Sequence, residues 1–315
     1  RGTGGGGAFL ESSTVRAYGV DISGNQAIQG GGVLIQESRL ASNETALRKA
    51  ITVHSNCAEG VGGGVMMVGT SALASAQVFD NVISMECGSL GVRSLPSAQA
   101  GGAGVAILGS INATLVNVAI VNNSGISFVQ QTMIPNATSA MRSTKNSTAQ
   151  PRQTLPVFGG GLLVSNRSRV TIGGGVLVSA NTASGGGNGG GVLIRGASKM
   201  VGTTPNVGVD VVGNVASGGC GGGVAVEGGS VFAGGYVAAN TVHDAAGTAV
   251  GRAVGGGGLC VYGGSSAMVS GVTIHNNSAQ DGGGIFVGAV TGLTAHSLVV
   301  TNNRACYGAG MHLLE

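Results

Sequence analysis

The sequence predicts an all-β protein: a right-handed, single-stranded parallel β-helix of about nine coils with one long inserted loop. Two recurrent motifs predict it, namely a glycine cluster followed by an apolar triplet, and an aliphatic residue three positions before an asparagine. Composition is the third observation, because glycine supplies 63 of 315 residues and charged residues only 9%, against about 25% in ordinary globular domains. With only 5 prolines the chain is not collagen.

The first apolar residue after each glycine cluster marks the start of a coil. Its spacing gives a basic coil of 25 or 26 residues, which suits three short strands and three turns. Residues 1–315 are therefore predicted to form a single solenoid, and the longest coil carries a Ser- and Thr-rich surface loop at 126–158. The ten anchors are Ala8, Val33, Val65, Val105, Leu162, Val192, Val224, Leu259, Ile285 and Met311.

The mid-coil motif predicts an asparagine ladder. Asparagine tolerates the left-handed conformation that a corner requires, and its amide can bond to the equivalent amides of adjacent coils. Between Val65 and Val105, Val82-Ile83 lies near the expected position but no asparagine follows it, which predicts a turn built in another way. The ladder residues are Asn25, Asn56, Asn123, Asn181, Asn214, Asn240, Asn277 and Asn303. Glycine serves the other corner, where it allows positive φ and close approach of coils.

The residue after each anchor should point outward by the period-two rule for strands. These residues are nevertheless apolar, and we call them the outer apolar row. Such a row predicts a cover, which is either a partner protein packing laterally or an insert or other part of the parent chain. The row contains Phe9, Leu34, Met66, Leu163, Leu193 and Phe286, with Ala106, Ala225 and Cys260 between them.

Both ends of the sequence fall within a coil. The sequence opens at a glycine cluster and closes as a tenth coil begins at Met311, with no polar cap at either end. Because solenoids need capped ends, this predicts an excerpt of a larger β-helix that stacks end-to-end on the rest of its parent chain. The alternative is that the ends stack onto other subunits.

The paired motifs, glycine-glycine-small-aliphatic and aliphatic-x-x-Asn, resemble the polymorphic outer membrane protein repeat over essentially the whole chain. This chain departs from that repeat in having Val or Ile where the family usually has Phe three residues before Asn, and usually a third Gly where the family has Ala. The resemblance implies a pectin-lyase-like right-handed β-helix on a secreted or surface protein. It carries no catalytic assignment.

Some pectin-lyase-like proteins cleave polysaccharides, so an enzyme is the alternative. Glycosidic cleavage needs two carboxylates about 5 to 10 Å apart. Asp21 and Asp210 occupy the same place in coils that are five coils apart, whereas Asp244 with Asp281 or Glu227 stays open as a pair across adjacent coils. We predict no catalytic, metal or cofactor site, because the histidines lack metal spacing and no nucleotide-binding motif stands out from the glycine background.

Seven Asn-x-Ser/Thr sequons predict N-glycans on a eukaryotic secretory protein. The alternative is a set of ordinary polar turns in a bacterial protein. The sequon asparagines are Asn43, Asn112, Asn122, Asn136, Asn146, Asn166 and Asn276.

The five cysteines form no metal pattern. Cys57 and Cys87 follow the mid-coil motif in consecutive coils and are predicted to form a disulfide. An odd number leaves at least one thiol free or paired outside the chain. Cys260, in the outer apolar row, is interpreted as a small hydrophobic residue.

The distribution of charge and hydropathy limits the classes of partner that the chain can bind. The net charge of +3 is thinly spread, with no basic run beyond Arg48-Lys49, which argues against nucleic acid and anionic membrane. No apolar stretch approaches about 18 residues, so no membrane span is predicted. We expect a structural or adhesive shaft segment of a large extracellular or cell-surface glycoprotein, in a filament, a wall or a flagellar-surface fibre. The alternative is a carbohydrate-binding or carbohydrate-cleaving β-helix.

Overall fold

Each coil contributes strands that stack, parallel and in register, on the equivalent strands of the next coil. The predicted all-β parallel β-helix is confirmed. The computed structural model describes residues 4–42, 51–84, 87, 100–126, 128–130, 153–155, 158–204, 207–243, 255–264, 266–288 and 292–314. Within these ranges no helix has the length and apolar character needed to cross a bilayer.

Sheet 1 consists of the strands that follow the glycine clusters. Every predicted anchor pairs with the anchor of the next coil, from Ala8 with Val33 at one end to Ile285 with Met311 at the other. Its described strands are β1 (Ala8–Glu11), β5 (Val33–Gln36), β9 (Val65–Val68), β12 (Val105–Leu108), β17 (Leu162–Ser165), β21 (Val192–Ile194), β25 (Val224–Glu227), β28 (Leu259–Tyr262), β30 (Ile285–Gly288) and β33 (Met311–Leu314).

Sheet 2 follows the next corner and is bent along its middle. In the long strands a left-handed residue marks the bend, with φ of 53° at Ser75, 51° at Asn117 and 62° at Gly271. Other coils split into two strands there. Its described strands are β2 (Thr14–Arg16), β3 (Asp21–Ser23), β6 (Arg39–Ala41), β7 (Ile51–His54), β10 (Ala72–Phe79), β13 (Ala113–Val121), β18 (Arg169–Ile172), β19 (Val176–Ser179), β22 (Lys199–Gly202), β23 (Val209–Val212), β26 (Val231–Ala238), β29 (Ala267–His275), β31 (Leu293–His296) and β32 (Val299–Thr301).

Sheet 3 follows the asparagine corner and consists of short strands. They are β4 (Gln26–Gln29), β8 (Cys57–Val61), β11 (Val82–Ile83), β14 (Ser124–Gly125), β20 (Thr182–Ala183), β24 (Val215–Ser217) and β27 (Thr241–His243). Of the predicted insertion at 126–158, the structure describes an antiparallel pair, β15 (Phe128–Gln130) and β16 (Gln153–Leu155). A short antiparallel strand pair therefore lies within the predicted loop, and residues 131–152 lie outside the described part.

The inward faces of the sheets enclose one continuous apolar core along the solenoid. Alternation places Val33 and Ile35 of β5 inside with no solvent exposure, while Leu34 and Gln36 point away from the core. Because parallel strands of successive coils are in register, the same alternation repeats from coil to coil. The core is therefore built from aliphatic columns, such as the one that runs through Val65, Val105 and Leu162.

Candidate functional site

The predicted ladder asparagines are brought together in one column at the corner between sheets 2 and 3. In each step, one carboxamide oxygen accepts hydrogen bonds from both the backbone N–H and the Nδ2 of the asparagine one coil earlier. From Asn25 to Asn303 these distances are 2.8 to 3.0 Å. The ladder positions between the two ends are at most 1% exposed, so these bonds satisfy polar groups inside the solenoid.

The coil between Val65 and Val105 has a ladder residue, Asn81, contrary to the prediction. Asn81 is fully buried and its Nδ2 donates to Asn123 Oδ1 at 3.0 Å. The motif had been sought at Val82-Ile83, but those residues form β11 of sheet 3, and the motif is Val78-Phe79-Asp80-Asn81. With Asn81 included, the ladder has no interruption.

The left-handed residue of this corner is the one before the ladder asparagine, and the prediction that the asparagine itself is left-handed is wrong. Asn122 has a φ of 54°, Ala180 53° and Gly213 66°. The preceding residue makes the bend, which leaves the asparagine free to turn its amide inward. Since alanine stands in this position at Ala180 and Ala239, the bend does not require glycine.

The two sequence motifs meet across the solenoid. A Cβ added to Gly32, the last glycine of its cluster, would lie 2.6 Å from Val53 Cγ1 and 2.8 Å from Asn56 Nδ2. Gly64 has the same relation to Val78 and Asn81, at 2.7 and 2.8 Å. Glycine is therefore required here for space, because the aliphatic residue and the ladder amide occupy the position that a side chain would take.

The outer apolar row is largely buried within this chain, so for most of it the predicted cover is another part of the chain and not a partner protein. Met66 and Phe286 are 6% and 2% exposed, and Leu163 and Leu193 are fully buried. Leu34 is half-buried; Phe9 is 51% exposed.

The cover is the segment that precedes each glycine cluster. Val61 and Phe158 lie in such segments and pack on the outer apolar row, and bridges join Val61 to Gly101 and Gly101 to Phe158. The segment turns back over sheet 1 before its glycines carry the chain into the next coil. The row is therefore a second, smaller core, and Phe158 is also the last residue of the predicted insertion.

A polar cluster borders this second core. The half-buried guanidinium of Arg195 lies 5.1 Å from the centre of the Phe158 ring and donates through Nε to Ser165 Oγ at 3.3 Å. Burial lowers the pKa of Arg195, while the nearby Tyr262 and Glu227 act in the opposite direction. Burial raises the pKa of Tyr262 to about 12, opposed by a hydrogen bond with the Asn188 side chain.

Tyr262 predicts a specific alkaline titration. Its folded-state pKa exceeds the ordinary value of 10.0, so its contribution to stability is complete below pH 10 and is lost as the pH rises toward about 12. Spectrophotometric titration of the wild type minus Tyr262→Phe should show one phenol ionising near pH 12. In denaturant the midpoint of the same difference titration should move to about pH 10. A folded-state difference centred near pH 10 would contradict the burial of this hydroxyl.

All five cysteines are described, and four of them form disulfides between coils. Cys57 and Cys87 are paired, with Cα atoms 5.6 Å apart, as the sequence predicted. Cys260 is paired with Cys220 at 5.7 Å, so its interpretation as a simple hydrophobic residue is wrong. Cys220 lies just before β25, in the segment that covers the outer apolar row, which brings it over Cys260 of the neighbouring strand β28. Cys306 is free and exposed.

The sequons fall at corners of the solenoid. Asn122 and Asn276 are exposed left-handed residues that immediately precede ladder asparagines. Asn112 and Asn166 are exposed at the corner between sheets 1 and 2. The other predicted glycan positions, Asn43, Asn136 and Asn146, lie outside the described residues.

Carboxylates pair with histidines rather than with each other in the described residues. Asp21 Oδ1 lies 3.0 Å from His54 Nε2, and Asp281 Oδ1 lies 3.6 Å from His312 Nδ1. As predicted, Asp21 and Asp210 occupy equivalent strand positions in coils that are five coils apart. Among these residues no group of three or more His, Cys, Asp and Glu could hold a metal ion. Of the carboxylates left open as a pair, Asp244 lies outside the described part.

The nearest approach to a nucleophilic site is on the solenoid surface. His54 Nε2 faces the Asp21 carboxylate, and His54 Nδ1 lies at hydrogen-bond distance from Ser55 Oγ, at 3.1 Å. The His54 ring stacks on Phe79. Ser55 is exposed, and the groove lined by Arg16 and Arg39 does not include these side chains. A nucleophile acts on a substrate held in a concave site, and the groove that the described residues form lies apart from this arrangement.

A second ladder, of serines, was missed by the sequence analysis. At the corner before sheet 2, the backbone N–H of Ser13 donates to Ser38 Oγ at 2.9 Å, and that of Ser168 donates to Ser198 Oγ at 3.1 Å. The signal was available, because a serine directly precedes the strand in coil after coil. The serine–serine bonds join Ser13 to Ser38, Ser110 to Ser168, and Ser168 to Ser198, and Ser71 and Ser230 also directly precede their strands.

Comparisons of the chain with protein-family models, with curated proteins and with solved structures find no match. The resemblance to the polymorphic outer membrane protein repeat therefore stays a prediction.

Proposed function

We propose that this chain is a structural or adhesive shaft segment of a large extracellular or cell-surface glycoprotein that belongs to a filament, a wall or a flagellar-surface assembly. The observation that carries the proposal is the set of covalent and hydrogen-bonded ties between successive coils. Disulfides join Cys57 to Cys87 and Cys220 to Cys260, and the ladder runs without a break from Asn25 to Asn303.

The disulfides support the extracellular part of the proposal. Disulfides persist in oxidising compartments and are rare where cellular thiols are kept reduced. Four of the five cysteines are paired here. The exposed sequons Asn112, Asn122, Asn166 and Asn276 support the glycoprotein part, since sugars attached there would point into solvent.

The shaft role rests on the way the coils are tied together. In a solenoid each repeat contacts only its neighbours, so the strength of each interface between coils sets the strength of the rod. Here every such interface contains ladder hydrogen bonds as well as apolar packing. One surface open to a lateral protein partner is the outward face of sheet 2, where Tyr236, Met268 and Val299 are 39%, 42% and 51% exposed.

Thiol trapping and glycopeptide mapping on native material test the proposal. We expect an alkylating reagent present during lysis to label Cys306 alone, and a second reagent to label the other four cysteines only after reduction. We expect glycans on at least one of the four exposed sequons. Protein denatured and reduced before alkylation is the control, in which all five cysteines should react. Labelling of all five without reduction, together with unmodified sequons, would sink the extracellular assignment.

The alternative, a carbohydrate-cleaving β-helix, predicts new reducing ends when the chain is incubated with a panel of polysaccharides. On the proposed function no such release is expected, and release that is lost in Asp21→Asn or His54→Gln would establish the enzyme instead.

A further inference from the structure

The charge of the chain is concentrated in its central coils. Residues 105–223 contain seven basic residues and one acidic residue, a net charge of +6, whereas residues 1–104 carry −1 and residues 224–315 carry −2. Along the sequence, the overall value of +3 therefore conceals a basic middle stretch between two weakly acidic flanks; Arg142, Lys145 and Arg152 of this stretch lie outside the described residues. A field of one sign attracts a partner of the other sign over a distance of about a Debye length.

The fold concentrates part of this charge at one corner. Arg169 of β18 and Lys199 of β22 are Cα partners in adjacent parallel strands, and both are exposed. Strands in this relation are about 4.8 Å apart, and like charges placed directly opposite each other destabilise a sheet. Arg167, also exposed, precedes Arg169 by two residues in a left-handed conformation with a φ of 59°.

No acidic side chain neutralises these three residues in the part of the chain that the structure describes. In the next strand of the sheet, the Cα partner of Lys199 is the uncharged Val231. Neither ion pairs nor side-chain hydrogen bonds are found for Arg167, Arg169 or Lys199. The only acid of the central coils, Asp210, lies in β23 between Leu177 and Tyr236, in the other half of sheet 2.

The neighbouring Arg195 differs because it is already engaged. It is held by Ser165 and Phe158, and its charge interacts with Glu227. Among the described residues of the central coils, the unpaired positive charge is therefore that of Arg167, Arg169 and Lys199, which we name the basic corner.

We propose that the basic corner binds an anionic polysaccharide through its sulfate or carboxylate groups. Guanidinium and ammonium groups bind such oxyanions by charge-assisted hydrogen bonds, with arginine able to bind in a bidentate manner. Asn112 and Asn166 are exposed beside the basic corner and offer amide groups to sugar hydroxyls.

Two other classes of polyanion fit less well. Single-stranded nucleic acid is held by aromatic side chains that stack on its bases, and residues 159–231 contain no aromatic residue at all. Protein interfaces are centred on aromatic or other large apolar anchors, which the basic corner also lacks. This inference is independent of the shaft function, since a shaft without bound glycan remains a shaft.

An N-glycan attached at the Asn166 sequon would compete with the proposed polysaccharide for the basic corner. Asn166 immediately precedes Arg167, so an N-glycan attached there would cover the basic corner. Binding is therefore tested on protein that carries no N-glycans but has its disulfides formed.

The test measures binding of immobilised chain to heparin, polygalacturonate, neutral dextran, polythymidylate and polyglutamate at several salt concentrations. We expect heparin or polygalacturonate to bind and dextran not to bind. The variant Arg169→Thr/Lys199→Thr should weaken that binding about tenfold or more at low salt and reduce the slope of log affinity against log salt by about two. Threonine keeps the β-strand preference, so the melting temperature should be unchanged or raised.

The matched control is Arg16→Thr/Arg39→Thr. These residues are exposed in β2 and β6, adjacent coils of the same sheet, and their replacement removes the same amount of charge. The control should change affinity less than about twofold, because charge outside the contact acts only through the screened field. The proposal is overturned by failure of both anionic polysaccharides to bind, by equal losses in the two variants, or by equally tight binding of polythymidylate or polyglutamate. The thiol and glycan results would be unaffected by any of these outcomes.

Discussion

Replacement of Asn214 by alanine is expected to lower the free energy of unfolding by about 3 to 5 kcal/mol, as the sum of several buried polar groups left without partners. Asn214 is fully buried, and its Oδ1 accepts from the N and Nδ2 of Asn181, both at 2.9 Å. Its Nδ2 donates to the carbonyl of Val178 and to Asn240 Oδ1, also at 2.9 Å. Alanine removes all four bonds and leaves their partner groups buried inside the solenoid.

Urea denaturation followed by circular dichroism measures this loss, and Asn276→Ala is the matched control. Asn276 is exposed at the same corner, and alanine is accepted at its left-handed position in two other coils, at Ala180 and Ala239. The control should cost no more than about 1 kcal/mol. Equal losses in the two variants would show that the ladder bonds contribute nothing beyond the properties of an ordinary turn.

Gly64→Ala is expected to cost about 3 kcal/mol or more, through overpacking against groups that cannot move independently. The added Cβ would lie 2.7 Å from Val78 Cγ1 and 2.8 Å from both Asn81 Nδ2 and the Gly104 carbonyl oxygen. The side chains belong to the core and the ladder, and the carbonyl belongs to the next coil. Relief of the overlap would require the separation of two coils.

Comparison with Gly213→Ala distinguishes the cost of steric overlap from the cost of backbone strain. Gly213 has a φ of 66° with nothing within 4 Å of the added Cβ, whereas Gly64 has an ordinary φ in a filled site. The strain of a left-handed alanine is about 1 to 2 kcal/mol, so this variant should remain the more stable of the two. If Gly213→Ala were the more destabilising change, the overlap at Gly64 would cost less than the strain of a left-handed alanine, and the requirement for space at Gly64 would be contradicted.

The cysteines and the outer apolar row show what local patterns leave undecided. The alternation of side chains correctly placed Leu163 and Leu193 on the outward face of sheet 1, yet the segment containing Phe158 turns back over that face. The pairing of Cys220 with Cys260 follows from the same path. A period-two pattern gives the face on which a side chain lies, but it contains no information about what packs on that face.

The sequence by itself determined the repeat, the register of sheet 1 and eight of the ladder asparagines. These could be predicted because each coil must satisfy the same local demand, for space at its last glycine and for a buried amide at its asparagine, so the signal recurs with every coil. Asn81 carried the same signal, at Val78-Phe79-Asp80-Asn81, and was missed only because the motif was sought four residues too late.

Only the tertiary structure decided which side chains of different coils meet. Asp21 with His54 and Arg169 with Lys199 are neighbours across strands, but coils vary from 25 to 57 residues, so separation along the chain does not reveal such pairs. The physical reason is that insertions change chain length without changing the distance between strands, which backbone hydrogen bonds fix at about 4.8 Å. The motifs of a coil are therefore a property of sequence, whereas the basic corner and the buried outer apolar row exist only once the coils have stacked.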